Sequence, residues 1–189
     1  YRHLWDFYSF PTRNSHRPEI KAAEIVFLGY GIDDTQYSDY GNKSVEGKAI
    51  LIYAGEPVKP NGNYLLSNTE EPSEWSTDWR KKLVTAKAKG VDLVLIIDPN
   101  LKKNIAENRR FLLSSSMRIG EGEKPEENFP NNLFISSTIA KELVGKKFKK
   151  VAKARDKIIK KGKLKAVTIP TDLSIVQDKN TRQLIGSNV

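Results

Sequence analysis

Residues Trp79 to Ile97 read WRKKLVTAKAKGVDLVLII, and this stretch decides the fold. Trp79, Leu83 and Ala86 recur at spacings of four and three, which predicts a helix over 79–89 with one apolar stripe. Ser76 or Thr77 can cap it, with Asp78 near the positive end of the helix dipole. Gly90 is placed to end the helix in the left-handed conformation. Val91 to Ile97 follows at once, and an almost unbroken apolar run of this length predicts a strand buried on both faces. Helix, glycine, buried strand is the order expected of a helix that covers a sheet.

Working outward toward the N-terminus, Glu24 to Ile32 (EIVFLGYGI) is rich in β-branched and aromatic residues and predicts another buried strand. Gly29 and Gly31 flank Tyr30 and point to a bulge or a close backbone approach. A dinucleotide fingerprint would need a third glycine and a following helix, and neither is present. Asp33, Asp34, Asp39 and Gly41 form a polar loop. Their spacing fails the calcium-loop pattern, so turn chemistry is the preferred reading. Gly47-Lys48 leads into a second strand, Ala49 to Ala54, closed by Gly55-Glu56-Pro57. Pro60-Asn61-Gly62 signals a turn, and residues 63–74 show no period.

Toward the C-terminus, residues 98–132 read as a polar loop. Ser114, Ser115 and Ser116 lack a G-x-S-x-G elbow and have no histidine in their region, so they read as loop rather than nucleophile. Leu133 to Ile135 predicts a short strand. Ser136 or Ser137 then caps a helix through Leu143 and Val144, and Gly145 interrupts it. A second helix is expected from about Phe148 to Ile159, with Val144, Phe148, Val151, Ile158 and Ile159 on one side and lysines on the other, ended by Gly162. Lys165 to Val176 reads as two short strands interrupted by Pro170, because proline cannot donate to a ladder.

The 189 residues are 38% apolar and 29% charged, enough for one core and unlike a disordered chain. No apolar run reaches the roughly 18 residues of a membrane helix. The absence of cysteine excludes disulfides, thiolate zinc sites and cysteine nucleophiles. His3 and His16, 13 residues apart, leave few ways to build a histidine metal site or a triad. The chain begins at Tyr1 and its single methionine is Met117, which reads as a processed or excised chain.

The net charge of +9 is concentrated. Lys141 to Lys165 hold 12 basic residues against Glu142 and Asp156, while the rest of the chain is close to neutral. Such a run can serve nucleic acid, anionic lipid or acidic polymers, or be a solvated helix face. Phe148 is its lone aromatic, so it offers no stacking platform for bases, and the solvated face is preferred. Tyr1, Trp5, Phe7, Tyr8 and Phe10 form an aromatic strip beside Arg13, Asn14, Ser15 and His16. It reads either as a docking strip for a neighbouring domain or as an arm packed on its own core.

EIVFLGYGI, the Asp39-Tyr40-Gly41 loop and VEGKAILIYAGEP (Val45 to Pro57) occur in the order of the opening of the protease-associated (PA) domain. The helix with Lys82, Ala86 and Lys87, then Gly90-Val91 and LVLII, continues that order. NLFISSTIAKELV (Asn132 to Val144), TDLSIV and IGSNV complete it. Over roughly Glu24 to Val189 the chain thus resembles the PA insert of bacterial aminopeptidases that use two zinc ions. The resemblance implies an α+β fold, a sandwich or open barrel with helices covering one side. It implies residues 1–23 as an arm that is part of the peptidase portion or docks on it, and 24–189 as the domain. It implies a non-catalytic accessory role in an exported enzyme, restricting or guiding peptides toward an active site elsewhere in the same polypeptide. Zinc and the catalytic glutamate would then lie in that peptidase portion, so no catalytic and no metal residue is assigned to this chain, and binding residues stay undetermined. Gly29, Tyr30, Gly31, Gly47, Lys48 and Gly90 match the family pattern for structural reasons: backbone room, turns and a helix stop. The implied setting is extracytoplasmic, and the implied partners are the peptidase portion and peptide substrate, without nucleic acid or a membrane span. The alternative is a free-standing basic module binding an anionic polymer through Lys146 to Lys165. A ligand groove, if built on loops, is expected beside Asp33–Asn42 and Asn100–Asn128.

Overall fold

The computed structural model describes residues 1–10, 19–114 and 129–176. His16, Ser115, Ser116 and the IGSNV segment lie outside the described residues. The elements are β1 (Phe7–Tyr8), β2 (Glu19–Phe27), β3 (Ala49–Tyr53), α1 (Glu74–Thr77), α2 (Trp79–Ala88), β4 (Leu93–Ile97), α3 (Leu101–Leu112), β5 (Asn131–Ile135), α4 (Ser137–Val144), α5 (Phe148–Lys161) and β6 (Val167–Val176). They build one six-stranded sheet in the order β1-β5-β4-β3-β2-β6. β2, β3, β4 and β5 run parallel, with Ile50 paired to both Val26 and Val94. β1 and β6 are antiparallel at the two edges.

Side chains of successive strand residues point to opposite faces, so an apolar run feeds two cores. Val26, Leu28, Ile50, Ile52, Val94 and Ile96 pack with Leu83 and Ala86 of α2 and with Leu101, Ile105 and Leu112 of α3. Ile25, Phe27, Leu51, Leu93, Leu95 and Ile97 pack with Ile139, Ala140 and Val144 of α4 and with Val151 and Ala154 of α5. The α+β class holds, and the sheet is not closed into a barrel. Helices cover both faces rather than the one side expected. α2 and α3 fill the first face, so the apolar stripe of α4 and α5 is buried against the second.

Local signals act largely as read. Val91 N–H donates to the Ala86 carbonyl at 3.0 Å and Gly90 N–H to Lys87 at 2.9 Å, with Gly90 at φ +72°, a glycine-terminated helix end. Ser136 caps α4 through the Ile139 N–H. Asp78 caps α2 by accepting from Arg80 N–H, where Ser76 or Thr77 was expected, because residues 74–77 are already the helical turn α1, itself capped by Ser73.

Three expectations are corrected. Residues 101–112 form a helix and not a loop. Leu101, Ile105 and Leu112 are buried on one face, and charged residues between them hide the stripe. β2 covers 19–27, so Leu28 to Ile32 is turn rather than strand. β6 is one strand. Pro170 pairs with Glu24 beside a bulge between Ala22 and Glu24, and an edge strand tolerates the missing N–H.

Part of the N-terminal aromatic strip packs on this core. Tyr8 is buried and stacks on Phe134 at 4.6 Å, and Phe10 stacks on Trp79 at 5.1 Å. Trp5 stays 53% exposed.

The close approach read from G-Y-G is real. At Gly29, φ is +55°, and a Cβ would lie 2.6 Å from Asp39 Oδ1 and 2.6 Å from Ile158 Cδ1. Gly29→Ala is expected to destabilise by about 2–4 kcal/mol, combining left-handed strain with overpacking. At Gly62, φ is +89° with nothing within 4 Å of a new Cβ, so Gly62→Ala should cost only about 1–2 kcal/mol. Denaturant unfolding of the two variants measures the difference.

Candidate functional site

The loops that follow β2, β3 and β4 gather at the C-terminal ends of the parallel strands, where open α/β sheets place ligands. The turn after β2 presents the Tyr30 and Ile32 N–H groups to Asp39 Oδ2 at 2.9 and 3.2 Å. The Tyr37 hydroxyl donates to Asp39 Oδ1. Asp39 is fully buried.

Beneath the same turn lies Lys82 of α2, 1% exposed. Its Nζ donates to the carbonyls of Tyr30 (2.7 Å), Tyr53 (3.4 Å) and Gly55. One ammonium therefore ties the loop after β2 to the loop after β3. Glu56 is also buried, and its Oε1 accepts from Ser73 N–H (2.6 Å) and Ser76 Oγ (3.0 Å). On the outer side the Arg155 guanidinium of α5 lies 4.6 Å from the Tyr53 ring centroid, and its Nε donates to the Tyr30 hydroxyl at 3.4 Å.

Burial sets the protonation states. It pushes the Lys82 ammonium down to about 7, while the charges of Asp39 and Glu56 pull it back up. Burial raises the Asp39 carboxyl above its ordinary value, against the lowering effects of the Tyr37 hydroxyl, the Ile32 and Tyr30 amides and Lys82. It also raises Tyr37 and Tyr40, with Asp39 adding to the effect. A second buried carboxylate, Asp98 at the end of β4, accepts from Tyr8 Oη (3.1 Å), Asn104 Nδ2 (2.8 Å) and Asn100 N–H (2.8 Å). Tyr8 is raised by burial and by Asp98. The chemical task of both clusters is to hold backbone and helix starts in place. Most of their polar atoms bond one another and are buried, and Glu56 Oε2 has no hydrogen-bond partner among the described residues.

The three loop aspartates do not converge. Asp33 pairs with Lys89 at 2.7 Å and accepts from Ser38. Asp34 accepts from Trp75 Nε1 at 3.1 Å and from Gln36 N–H. Asp39 faces inward. The three carboxylates face different partners, Asp33 a lysine and a hydroxyl, Asp34 an indole and a turn amide, Asp39 buried amides and a hydroxyl. Among the described residues no group of three His, Cys, Asp or Glu side chains is placed to hold a metal ion. His3 packs near Phe7, with ring centroids 5.6 Å apart. Among the described residues no helix is long and apolar enough to cross a membrane.

A surface groove of about 240 Å³ is lined by Asp34, Gln36, Leu66, Ser73, Trp75 and Lys81, among others. Asp34 and Gln36 bring the Asp33–Asn42 loop to one wall of it.

Sequence reasoning missed Lys82 as the organising group. Its signal is positional: with Trp79, Leu83 and Ala86 it occupies i, i+3, i+4 and i+7, so a lysine lies on the apolar stripe.

Lys82→Met leaves carbonyls and buried carboxylates without their cation and is expected to destabilise by about 3–5 kcal/mol. Denaturant titration measures this. The tyrosines supply a pH test. Tyr8, Tyr37 and Tyr40 keep their protons in the folded chain, whereas unfolded tyrosine ionises near pH ~10. The unfolded state binds fewer protons above that pH, so stability should fall as pH rises past ~10. Tyrosinate absorbance should then appear together with loss of helix circular dichroism, in one cooperative step.

No family model matches the chain, and no curated protein matches it. Among solved structures, it is similar to an aminopeptidase from Aneurinibacillus sp. strain AM-1, at 18% identity and a TM-score of 0.33. That match covers 87% of this chain and 28% of the other, so the chain spans little more than a quarter of the length of that protein.

Proposed function

We propose that this chain is a non-catalytic, PA-like accessory module of an exported zinc aminopeptidase, restricting or guiding peptide access to an active site outside these residues. The observation that supports this most directly is the pairing of Glu19 with Val176. β2 meets β3 only from Ile25 onward, so Glu19 to Ala22 with Leu173 to Val176 form a two-stranded extension. The start of β2 and the last described residues of β6 thus lie side by side at one end of the sheet, while β1 joins the far edge, and such an end suits attachment to another domain. The extension lies at the N-terminal end of β2, and the loop platform around Asp39 and Lys82 lies at the opposite end. A body anchored at one end can present the other over a substrate path. The motif order shared with the PA domain supplies the peptidase context, and zinc in this reading belongs to the peptidase portion.

The test uses two proteins. The 189-residue chain supplied with zinc should release no amino acid from aminoacyl amides above a zinc blank. The longer polypeptide with residues 1–176 excised, so that β1 leaves with the body it packs on, should keep its rate on small amides, while its preference between short and long peptides shifts by about tenfold. Zinc-dependent hydrolysis by the isolated chain, or an unchanged length preference in the excised enzyme, overturns the proposal.

A further inference from the structure

α5 buries Val151, Ala154 and Ile158 against the sheet and turns its other side outward. Lys149, Lys150, Lys153, Lys157, Lys160 and Lys161 are all exposed. At 100° per residue they occupy an arc of about 120° running the length of the helix, about 21 Å. The basic groups of this segment divide into two sets. Arg155 is held over Tyr53 and bonds Tyr30, and Lys147 donates to the Thr168 carbonyl at 2.9 Å. Among the described residues the six lysines of the arc form no ion pair within 4 Å; Asp156 at the edge of the arc stands at i+3 from Lys153 and i−4 from Lys160, while Lys150–Lys153 and Lys153–Lys157 stand at repulsive spacings.

From this geometry we infer that the α5 face is a docking surface for a linear polyphosphate chain that carries no bases. Four observations select that partner. The apolar side of α5 is already buried, so the helix cannot sink into a bilayer as an interfacial helix does. Phe148, the lone aromatic of the segment, is exposed but lies off the lysine arc, so no ring stands among the lysines to stack bases. The arc holds lysine alone, a compact point charge that suits phosphate without bidentate orientation. Finally, residues three or four apart rise about 4.5–6 Å along the axis, so the charges form a row that a flexible chain can follow. This surface is independent of the accessory role proposed above.

The probe is inorganic polyphosphate, titrated into the full chain at several salt concentrations. With six lysines engaged, affinity should fall about 300-fold between ~50 and ~200 mM salt, and the thermal midpoint should rise with polyphosphate concentration. Combining Lys150→Gln, Lys153→Gln and Lys157→Gln should cut that salt effect to about 15-fold. Combining Lys102→Gln, Lys103→Gln and Arg110→Gln on α3 removes the same charge and should leave it unchanged. The substituted positions are exposed, and circular dichroism of the variants checks that the fold is retained. Binding that is absent or independent of salt overturns the inference. So does equal loss in both triple variants, which would mean net charge alone. Tighter binding to phosphatidylglycerol vesicles, to heparin or to single-stranded DNA than to polyphosphate at equal charge also overturns it, in favour of that class.

Discussion

The loop end of the sheet depends on one buried ammonium. Lys82 is carried on the apolar stripe of α2 into a position where carbonyls from two separate loops converge on it. A charge removed from water in this way is tolerable only if its donors are satisfied and counter-charges are near. Asp39 and Glu56 meet the second condition from opposite sides. The chain around each carboxylate is bent to suit it. Gly29 and Gly31 take left-handed backbone so that neighbouring amides aim at Asp39, and Ser73 starts a helical turn with its amide on Glu56.

The consequence is a stiff platform on a sheet that has no free face. β3 and β4 feed both cores, and each helix pair closes one of them. The charged clusters at the strand ends are buried. They are the means by which long loops keep one shape. The outward surfaces have a different character: a shallow groove beside Trp75, and the lysine row on the far side of α5. Arg155 lies outside that row, over the Tyr53 ring and bonded to the Tyr30 hydroxyl.

Much of this was legible in residue order. The stripe of α2, the glycine that ends it and the buried run of β4 were readable because each is a local rule with a short period. The G-Y-G turn announced a close approach, although not that Asp39 was the group approached. α3 was not read because Leu101, Ile105 and Leu112 are separated by charged and amide residues, which lower local hydrophobicity without breaking the helical period. β6 was divided at Pro170 because a proline forbids a ladder bond only where a partner requires it, and edge position is not encoded locally. The roles of Lys82, Glu56 and Asp98 were likewise invisible. Each is polar, and polar residues are exposed unless distant groups arrive to satisfy them.

By itself, the sequence determined the helices and strands of strong period, their glycine stops, the concentration of positive charge on one segment and the lack of thiol chemistry. These follow from near-neighbour sterics, periodicity and composition. The tertiary structure alone decided that helices cover both faces, that β2 and β6 pair from Glu19 to Val176, and which charges are buried together. Those outcomes depend on contacts between residues far apart in the chain, such as Tyr30 with Lys82 and Tyr8 with Asp98, whose free energy exists only once the sheet has brought them into register.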